Sequence, residues 1–123
     1  MSDYAPVYKP GQEYTMSAAS AVTAGQVVEV AAAGSVGPAG AVSAKVVGVA
    51  AFPAAAGEHL TVIDGGVHRL TASGAVNAGD RVVAATDGAV ATSATTPETG
   101  TQLGLALTNG TDGQTVEVAW IRA

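Results

Sequence analysis

The chain has 123 residues, a net charge of −5 and only 12% charged residues, and it contains no cysteine. Its length fits one domain, and the absence of cysteine excludes disulfides and thiolate metal sites. The five basic residues are spread along the sequence without a cluster. Binding to nucleic acid through counterion release is therefore not expected.

Small residues dominate the apolar content. Ala and Val supply most of the hydrophobic residues, and Gly, Ser, Thr, Pro or a charge interrupts every apolar stretch before it could span a bilayer. No transmembrane helix is predicted. The start of the chain, Met1–Tyr4, carries an acidic residue where a signal peptide would be basic, so we expect synthesis in the cytoplasm without export. A surface with so little charge favours a protein that is covered by partner proteins over one that exists as a free monomer.

Residues 1–14 are predicted to form an extended N-terminal arm. Pro6 and Pro10 favour extended backbone and cannot donate to a β-ladder. Tyr4, Tyr8 and Tyr14 supply much of the large apolar area in the sequence. We consider three states: the arm folds back over its own barrel, it lies on a neighbouring subunit or another protein where aromatic anchors are favoured, or it is disordered.

Residues 15–123 are predicted to form a β domain that contains an internal repeat, with units at about 21–72 and 75–121. Glycines and alternating apolar positions stay in step between the two units. The offset is slightly larger in the two later pairs of segments than in the first, which one small loop change accommodates. The paired segments are Ala21–Ala31 with Ala75–Ala85, Val47–Ala50 with Leu103–Ala106, and Gly57–Val62 with Gly113–Val118.

Short segments rich in Val and Thr predict strands separated by Gly-containing turns. Asp64–Gly66 predicts a tight hairpin turn, and 33–42 and 92–101 predict surface loops. The fold class expected is all-β, a small single-domain β-barrel or β-sandwich made of two duplicated β-units. The predicted strands are Gln26–Ala31, Ala44–Ala51, His59–Ile63, Val67–Ala72, Arg81–Ala85, Gly104–Thr108 and Thr115–Ile121.

Catalytic chemistry is not indicated. No serine lies in a Gly-x-Ser-x-Gly turn and no phosphate-binding loop is present. His59 and His68 fall on adjacent strands of the predicted hairpin, near Glu58 and Asp64, but two imidazoles make only half a zinc site. We therefore predict no catalytic residue, no metal, no cofactor and no small-molecule substrate.

The bulky residues near the end of the chain have two interpretations. Trp120, Ile121 and Phe52 are expected to fill the barrel or its ends. For Trp120 a subunit interface is the alternative, because a core of Ala and Val leaves little room for an indole.

Three segments together resemble the small phage capsid decoration, or cement, proteins. They are a Gly-Val-Ala strand in Lys45–Ala51, a Thr-Val-x-x-x-Gly-Val stretch in Leu60–Leu70, and an Ala-Gly-Asp-x-Val turn in Ala78–Val82. The resemblance spans about Gln12 to Ile121. It implies a non-enzymatic structural virion protein, made in the host cytoplasm. Such a protein assembles as a homotrimer on the outer capsid surface and bridges neighbouring capsomers by binding the major capsid protein.

In that role the arm is expected to contact the capsid, and Tyr14 and Trp120 are expected to lie at a subunit interface. The alternative is a small β carbohydrate-binding or adhesive module of a phage fibre or tail, which would display aromatic side chains on a sheet face or long polar loops. A small enzyme is a third class. The residues assigned to the capsid contact are Tyr4, Pro6, Val7, Tyr8, Lys9 and Pro10.

Overall fold

The computed structural model describes residues 13–93 and 100–121. These residues form ten strands and one short 3-10 helix, Thr86–Gly88. The strands are β1 Glu13–Ala18, β2 Val27–Ala32, β3 Ser35–Pro38, β4 Val46–Ala50, β5 His59–Ile63, β6 Val67–Thr71, β7 Arg81–Ala84, β8 Val90–Thr92, β9 Gln102–Ala106 and β10 Thr115–Trp120. The all-β class predicted from the sequence is confirmed.

The first five strands form a closed barrel in the order β1-β3-β2-β4-β5. β1 closes it by pairing antiparallel with β5 and parallel with β3. The last five strands form a second sheet in the order β6-β10-β9-β7-β8. Its outer strands meet at one parallel bridge, Ala72 with Val90, so the second unit is nearly closed.

The two units share one set of pairings. β2 pairs with β3 and β4 as β7 pairs with β8 and β9. β1 pairs with β5 as β6 pairs with β10. Strands β1 to β5 therefore correspond, in order, to strands β6 to β10. The pairings place β1, which lies before residue 21, in the first unit, and β6, which lies before residue 75, in the second.

The hairpin predicted at Asp64–Gly66 is wrong. β5 pairs with β1 and β4, whereas β6 pairs with β10, so the two strands are not bonded to each other. The segment instead carries the chain from the first unit to the second. Gly65 and Gly66 have φ of 146° and 81°, a backbone region that suits glycine, so the same residues that favour a tight turn also allow this linker.

Three strands escaped the sequence prediction: β1, β3 and β8. β3 lies inside the predicted surface loop 33–42, and its Val36 is fully buried. The segment is short and contains Gly and Pro, so it shows no alternation of apolar and polar residues. Its pairing with β1 and β2 comes from the barrel and not from local propensity.

The described residues contain two core clusters, and one of them joins the two units. The barrel interior is a cluster of small apolar side chains around Leu60 and Val62. Val27 and Val49, which are Cα partners in β2 and β4, belong to the other cluster, with Leu70 and Val118 of the second unit. Because neighbouring residues of a strand point to opposite faces, the outer side of the first barrel is buried against the second unit.

Of the three bulky residues that were predicted to be buried, one is buried and two are exposed. Trp120 is 7% exposed and lies in the core cluster that joins the two units. Phe52 and Ile121 are 45% and 55% exposed, so the prediction that they fill the barrel or its ends is wrong. Phe52 lies two residues after β4. Ile121 directly follows β10, and its N–H still donates to the Leu103 carbonyl at 2.8 Å.

Four turns have the same hydrogen bonds. In each, the first and fourth residues are joined by a backbone bond, the third is a glycine with φ between 80° and 91°, and the fourth side chain accepts from the N–H of the first. This φ at the third position is that of a type II turn, which favours glycine. The turns are Thr23–Gln26, Ala55–Glu58, Asn77–Asp80 and Thr111–Gln114.

A buried alanine lies before each of these turns, and its backbone is hydrogen-bonded to a different one of the four turns. The N–H of Ala18 donates to the carbonyl of Glu58, and the carbonyl of Ala18 accepts from Gly57, both at 2.8 Å. The same reciprocal bonds join Ala50 to the turn at Gln26. The second unit repeats both arrangements at Ala72 and Ala106. Each unit therefore contains two copies of the motif Ala-x-x-x-[Val/Ala/Gly]-x-x-Gly-[Gln/Glu/Asp].

Candidate interaction surfaces

The residues assigned to the capsid contact, Tyr4, Pro6, Val7, Tyr8, Lys9 and Pro10, lie outside the described residues. Tyr14 lies in β1, where its backbone pairs with Val62, and its side chain is outside the described part. Glu13 and Tyr14, the end of the predicted arm, are the first residues of β1. The assignments to the capsid and to a subunit interface stay predictions.

The position where the arm joins the domain is well defined. Glu13 is the Cα partner of Ile63, and β1 runs antiparallel to β5. Glu13, the first described residue, therefore lies beside the linker Asp64–Gly66, at the boundary between the two units. Val67, the first residue of β6, follows that linker and is 58% exposed.

Trp120 is fixed at this boundary by polar and aromatic contacts. Its Nε1 donates to Asp64 Oδ1 at 2.6 Å, and its ring meets His68 edge to face at a centroid distance of 5.8 Å. His68 Nε2 donates to the Gly65 carbonyl at 2.7 Å, since a carbonyl only accepts. The linker is thereby tied to the second sheet. Little of the indole surface is exposed for contact with a neighbouring subunit. The assignment of Trp120 to a subunit interface stays a prediction.

The two histidines do not approach each other as predicted. His59 is exposed on β5 of the barrel, whereas His68 is half-buried on β6 of the second sheet. Within 13–93 and 100–121 no three His, Cys, Asp or Glu side chains are grouped closely enough to hold a metal ion. The expectation of adjacent histidines failed because it rested on the hairpin that does not form.

Exposed large apolar side chains occur in both units, and the two most exposed lie in the second. Val67 and Ile121 are the most exposed large hydrophobic residues of the described part, at 58% and 55%, and Leu107 is 46% exposed. Across the sheet, Val67 is opposite Ala119, which is opposite the half-buried Leu105. This apolar row lies next to the linker and therefore next to the origin of the arm.

A carbohydrate-binding face would show aromatic rings on a strand surface. Among the described side chains, Trp120 is buried and Phe52 follows β4 instead of lying in a strand. The described sheet faces therefore present aliphatic side chains in place of stacking platforms.

Beside the shared core, the turn between β7 and β8 contacts the first barrel through backbone groups and one side-chain amide. Gly88 N–H donates to the Ala39 carbonyl at 3.0 Å, and Gln26 Nε2 donates to the Asp87 carbonyl at 3.0 Å. A Cβ at Gly88 would lie 2.7 Å from the Val27 carbonyl oxygen, closer than real Cβ atoms come. The turn between β7 and β8 thus fits tightly against the outer side of the first barrel.

A groove of about 380 Å³ runs beside this junction. Its lining combines small and polar residues, among them Thr23, Ser73, Asp87 and Asp112. Asp112 Oδ1 accepts from the Gly74 N–H at 2.8 Å, so that carboxylate already takes part in holding the backbone. The lining contains neither His, Cys nor Lys, and no nucleophile is paired with a base in it.

Glu29 is the described carboxylate whose environment clearly favours the charged form. The Gly40 N–H donates to Glu29 Oε1 at 2.9 Å, and this bond is the main cause that lowers the pKa of Glu29. Partial burial raises the pKa, whereas Ser43 and Lys45 lower it further. Lys45 Nζ lies 3.9 Å from Glu29 Oε2. Glu29 therefore holds the chain that connects β3 to β4.

No helix among the described residues is long and apolar enough to cross a bilayer.

Comparisons with known proteins identify a family. The family model described as phage cement protein matches residues 8–121. No curated protein matches the sequence. Among solved structures, the chain resembles the N base of head fiber gp8.5 of bacteriophage phi29, with a TM-score of 0.70 and 19% identity. The alignment covers 89% of this chain and 92% of that chain, so the similarity includes nearly the whole fold.

Proposed function

Since the chain belongs to the phage cement protein family and is a structural protein of the phage particle, we propose that it binds the outside of the capsid and bridges neighbouring capsomers. The observation that carries this proposal is the family match, which runs through both β-units. The similarity in fold to the base of a phage head fiber supports a location on the head.

The proposed attachment has two parts. The arm supplies aromatic anchors, Tyr4 and Tyr8, that bury against the major capsid protein. The apolar row around Val67 and Leu105 lies beside the origin of the arm and extends the surface available to the capsid. Burying one tyrosine-sized side chain stabilises the complex by about 1.5–3 kcal/mol before ordering costs, so loss of both anchors removes much of the binding free energy.

The proposed oligomer is a trimer on the local threefold positions of the head. Three arms engaging together give a stronger attachment than three independent contacts, provided that the geometry lets all of them reach the shell. The low charge of the chain suits a surface that packs against other proteins, because interface cores are depleted of charged residues.

Co-sedimentation with purified expanded heads tests this function. We expect the full chain to sediment with the heads and to saturate. A chain without its first eleven residues retains every described strand, so we expect it to stay folded and to lose most of its head binding. Circular dichroism on the truncated chain is the folding control. Full occupancy by the truncated chain would show that the arm takes no part in the attachment. Absence of binding by the full chain would contradict the proposed function itself.

A further inference from the structure

The outer face of the second sheet carries an exposed row of side chains that ends in a charge. The apolar row begins at Val67, which is 58% exposed, and continues over the half-buried Ala119 and Leu105. Arg81 is the Cα partner of Leu105, so it lies on the same face, where it is exposed. Exposed apolar side chains that lie together mark a surface for interaction.

The corresponding row of the first unit is buried. Its strands pair in the same order and register, and its two central residues, Val49 and Val27, are 3% and 0% exposed. Both belong to the core cluster that joins the two units, so the second unit covers them. Within 13–93 and 100–121 the row of the second unit has no such cover. The corresponding pairs are Glu13 with Val67, Ile63 with Ala119, Val49 with Leu105, and Val27 with Arg81.

Arg81 is the described cation that lacks a carboxylate partner. Lys45 Nζ lies 3.9 Å from a carboxylate oxygen of Glu29, and Arg69 Nε lies 3.6 Å from one of Glu117. Arg81 has no ion pair within the described part of the chain. The partner that fits this face is therefore apolar where it crosses β6, β10 and β9, and acidic where it reaches β7.

The N-terminal arm has this pattern in its sequence. Tyr4, Val7 and Tyr8 supply apolar area, and Asp3 supplies a carboxylate farther from the domain. The two prolines of the arm favour extended backbone, which suits a segment that lies across several strands.

The arm is also long enough to reach the row of its own chain. Glu13 is opposite Ile63, and Val67 follows Ile63 by four residues. From backbone and sheet dimensions, the path from Glu13 past Val67 and across the row to Arg81 is at most about 33 Å. The chain from Asp3 to Glu13 extends to about 36 Å. Asp3 can therefore reach Arg81.

We propose that in the free protein the N-terminal arm covers the apolar row of its own chain, with Asp3 beside Arg81, and that docking on the head exchanges this cover for the capsid. The inference rests on the proposed function, in which arm and row both contact the major capsid protein, and it adds the regulation of that contact. While the arm lies on the row, both apolar surfaces are shielded from other partners. On the head, both face the shell.

An engineered disulfide tests the position of the arm without heads. The sequence contains no cysteine, so Asp3→Cys with Arg81→Cys introduces a single thiol pair. A disulfide requires the two Cβ atoms to come close together. We expect mild oxidation to close it within one chain, at the 11.9 kDa mass of one subunit on a denaturing gel. Asp3→Cys with Lys45→Cys is the matched control, at an exposed cation of the first unit, and should stay largely reduced.

Cleavage by chymotrypsin after Tyr4 and Tyr8 tests the charge at the end of the row. Arg81→Glu should speed cleavage by up to about fivefold, the range of an exposed ion pair. The exchanged pair, Asp3→Lys with Arg81→Glu, should restore the wild-type rate. Lys45→Glu makes the same change of charge on the first unit and should leave the rate unchanged, and circular dichroism checks that all variants are folded.

Co-sedimentation with heads tests the exchange. The Asp3→Cys/Arg81→Cys protein should lose most of its head binding when oxidised and regain it after reduction. Undiminished binding by the oxidised protein would overturn the exchange.

Three results without heads would overturn the cover: equal oxidation of the two cysteine pairs, a disulfide at the mass of two subunits, which places the arm on a second copy, or cleavage rates that do not respond to Arg81→Glu. These outcomes are separate from the proposed function. Wild-type head binding together with any of them contradicts the cover alone, whereas a selective disulfide within one chain and a wild type that ignores heads contradict the capsid function alone.

Discussion

Val42 is the described residue whose backbone is most at odds with its side chain. Its φ of 53° lies in the left-handed region, which a β-branched residue rarely adopts. The residue is 48% exposed, so its side chain gains little from packing. Its N–H donates to the Ala84 carbonyl at 2.8 Å, and this bond between the two units holds the strained conformation in place.

Val42→Asn is expected to stabilise the protein. Asparagine adopts positive φ at lower cost and keeps the N–H, so the free energy of unfolding should rise by about 1 kcal/mol. Urea denaturation followed by circular dichroism measures the change. Val67→Asn, at an exposed position without positive φ, is the control and should be neutral or slightly destabilising. Equal effects of the two substitutions would show that backbone strain at Val42 is not the cause.

Glu29 predicts a dependence of stability on pH. Its pKa is lowered in the folded protein, so its contribution is present above the ordinary pKa of about 4.3 and is lost as the pH falls through the lowered value. The wild-type free energy of unfolding should therefore fall more steeply with acidification than that of Glu29→Gln. Thermal melts between neutral and strongly acidic pH make the comparison, and parallel curves would exclude this role.

At the residue scale, the sequence predicts burial poorly for large side chains. Trp120 does fill the interior, because its indole N–H finds a carboxylate acceptor in Asp64. Phe52 is exposed against expectation, since hydrophobicity alone does not show where a strand ends. The partners that decide these positions come from distant parts of the chain.

At the scale of the element, the repeated turn is the main local motif that stabilises the ends of the strands. The polar fourth residue accepts from the first N–H, and the positive-φ glycine comes before it. Sequence comparison pairs the turn at Gly25 with that at Gly79 and the turn at Gly57 with that at Gly113. That all four are one motif is visible only from the bonds to the buried alanines, because the intervening residues differ.

Gln26 and Gln114 allow a matched test of the turn. In both, Oε1 accepts from the first N–H of the turn, at 2.8 and 3.0 Å. Gln26 also donates to the Asp87 carbonyl across the unit junction. We expect Gln114→Ala to cost about 1 kcal/mol of unfolding free energy and Gln26→Ala to cost roughly 0.5–1.5 kcal/mol more. Equal costs in urea denaturation would show that the bond across the junction adds no stability.

Strand positions are predictable where apolar residues alternate, as in β5 and β10, whose starts match the predicted segments. β3 and β8 escape prediction because such short strands give no readable period, and their partners are supplied by the barrel and the second sheet. The hairpin expected at the linker Asp64–Gly66 fails for a related reason. Two glycines permit several turn geometries, and the choice depends on which strands β5 and β6 find elsewhere.

At the scale of the whole molecule, duplication explains the shared core. Burying the outer side of the first barrel joins two small units into one domain with a shared core. The matched order of the repeated segments reveals the duplication in the sequence, but it does not reveal which faces of the two units are buried against each other.

The capsid function is also a property of the whole particle, and cryo-electron microscopy of heads lacking this protein, with and without added protein, tests it most directly. We predict new density on the outer surface, centred on local threefold positions and touching more than one capsomer. Heads that show no added density at saturating protein, or density confined within a single capsomer, would contradict the account.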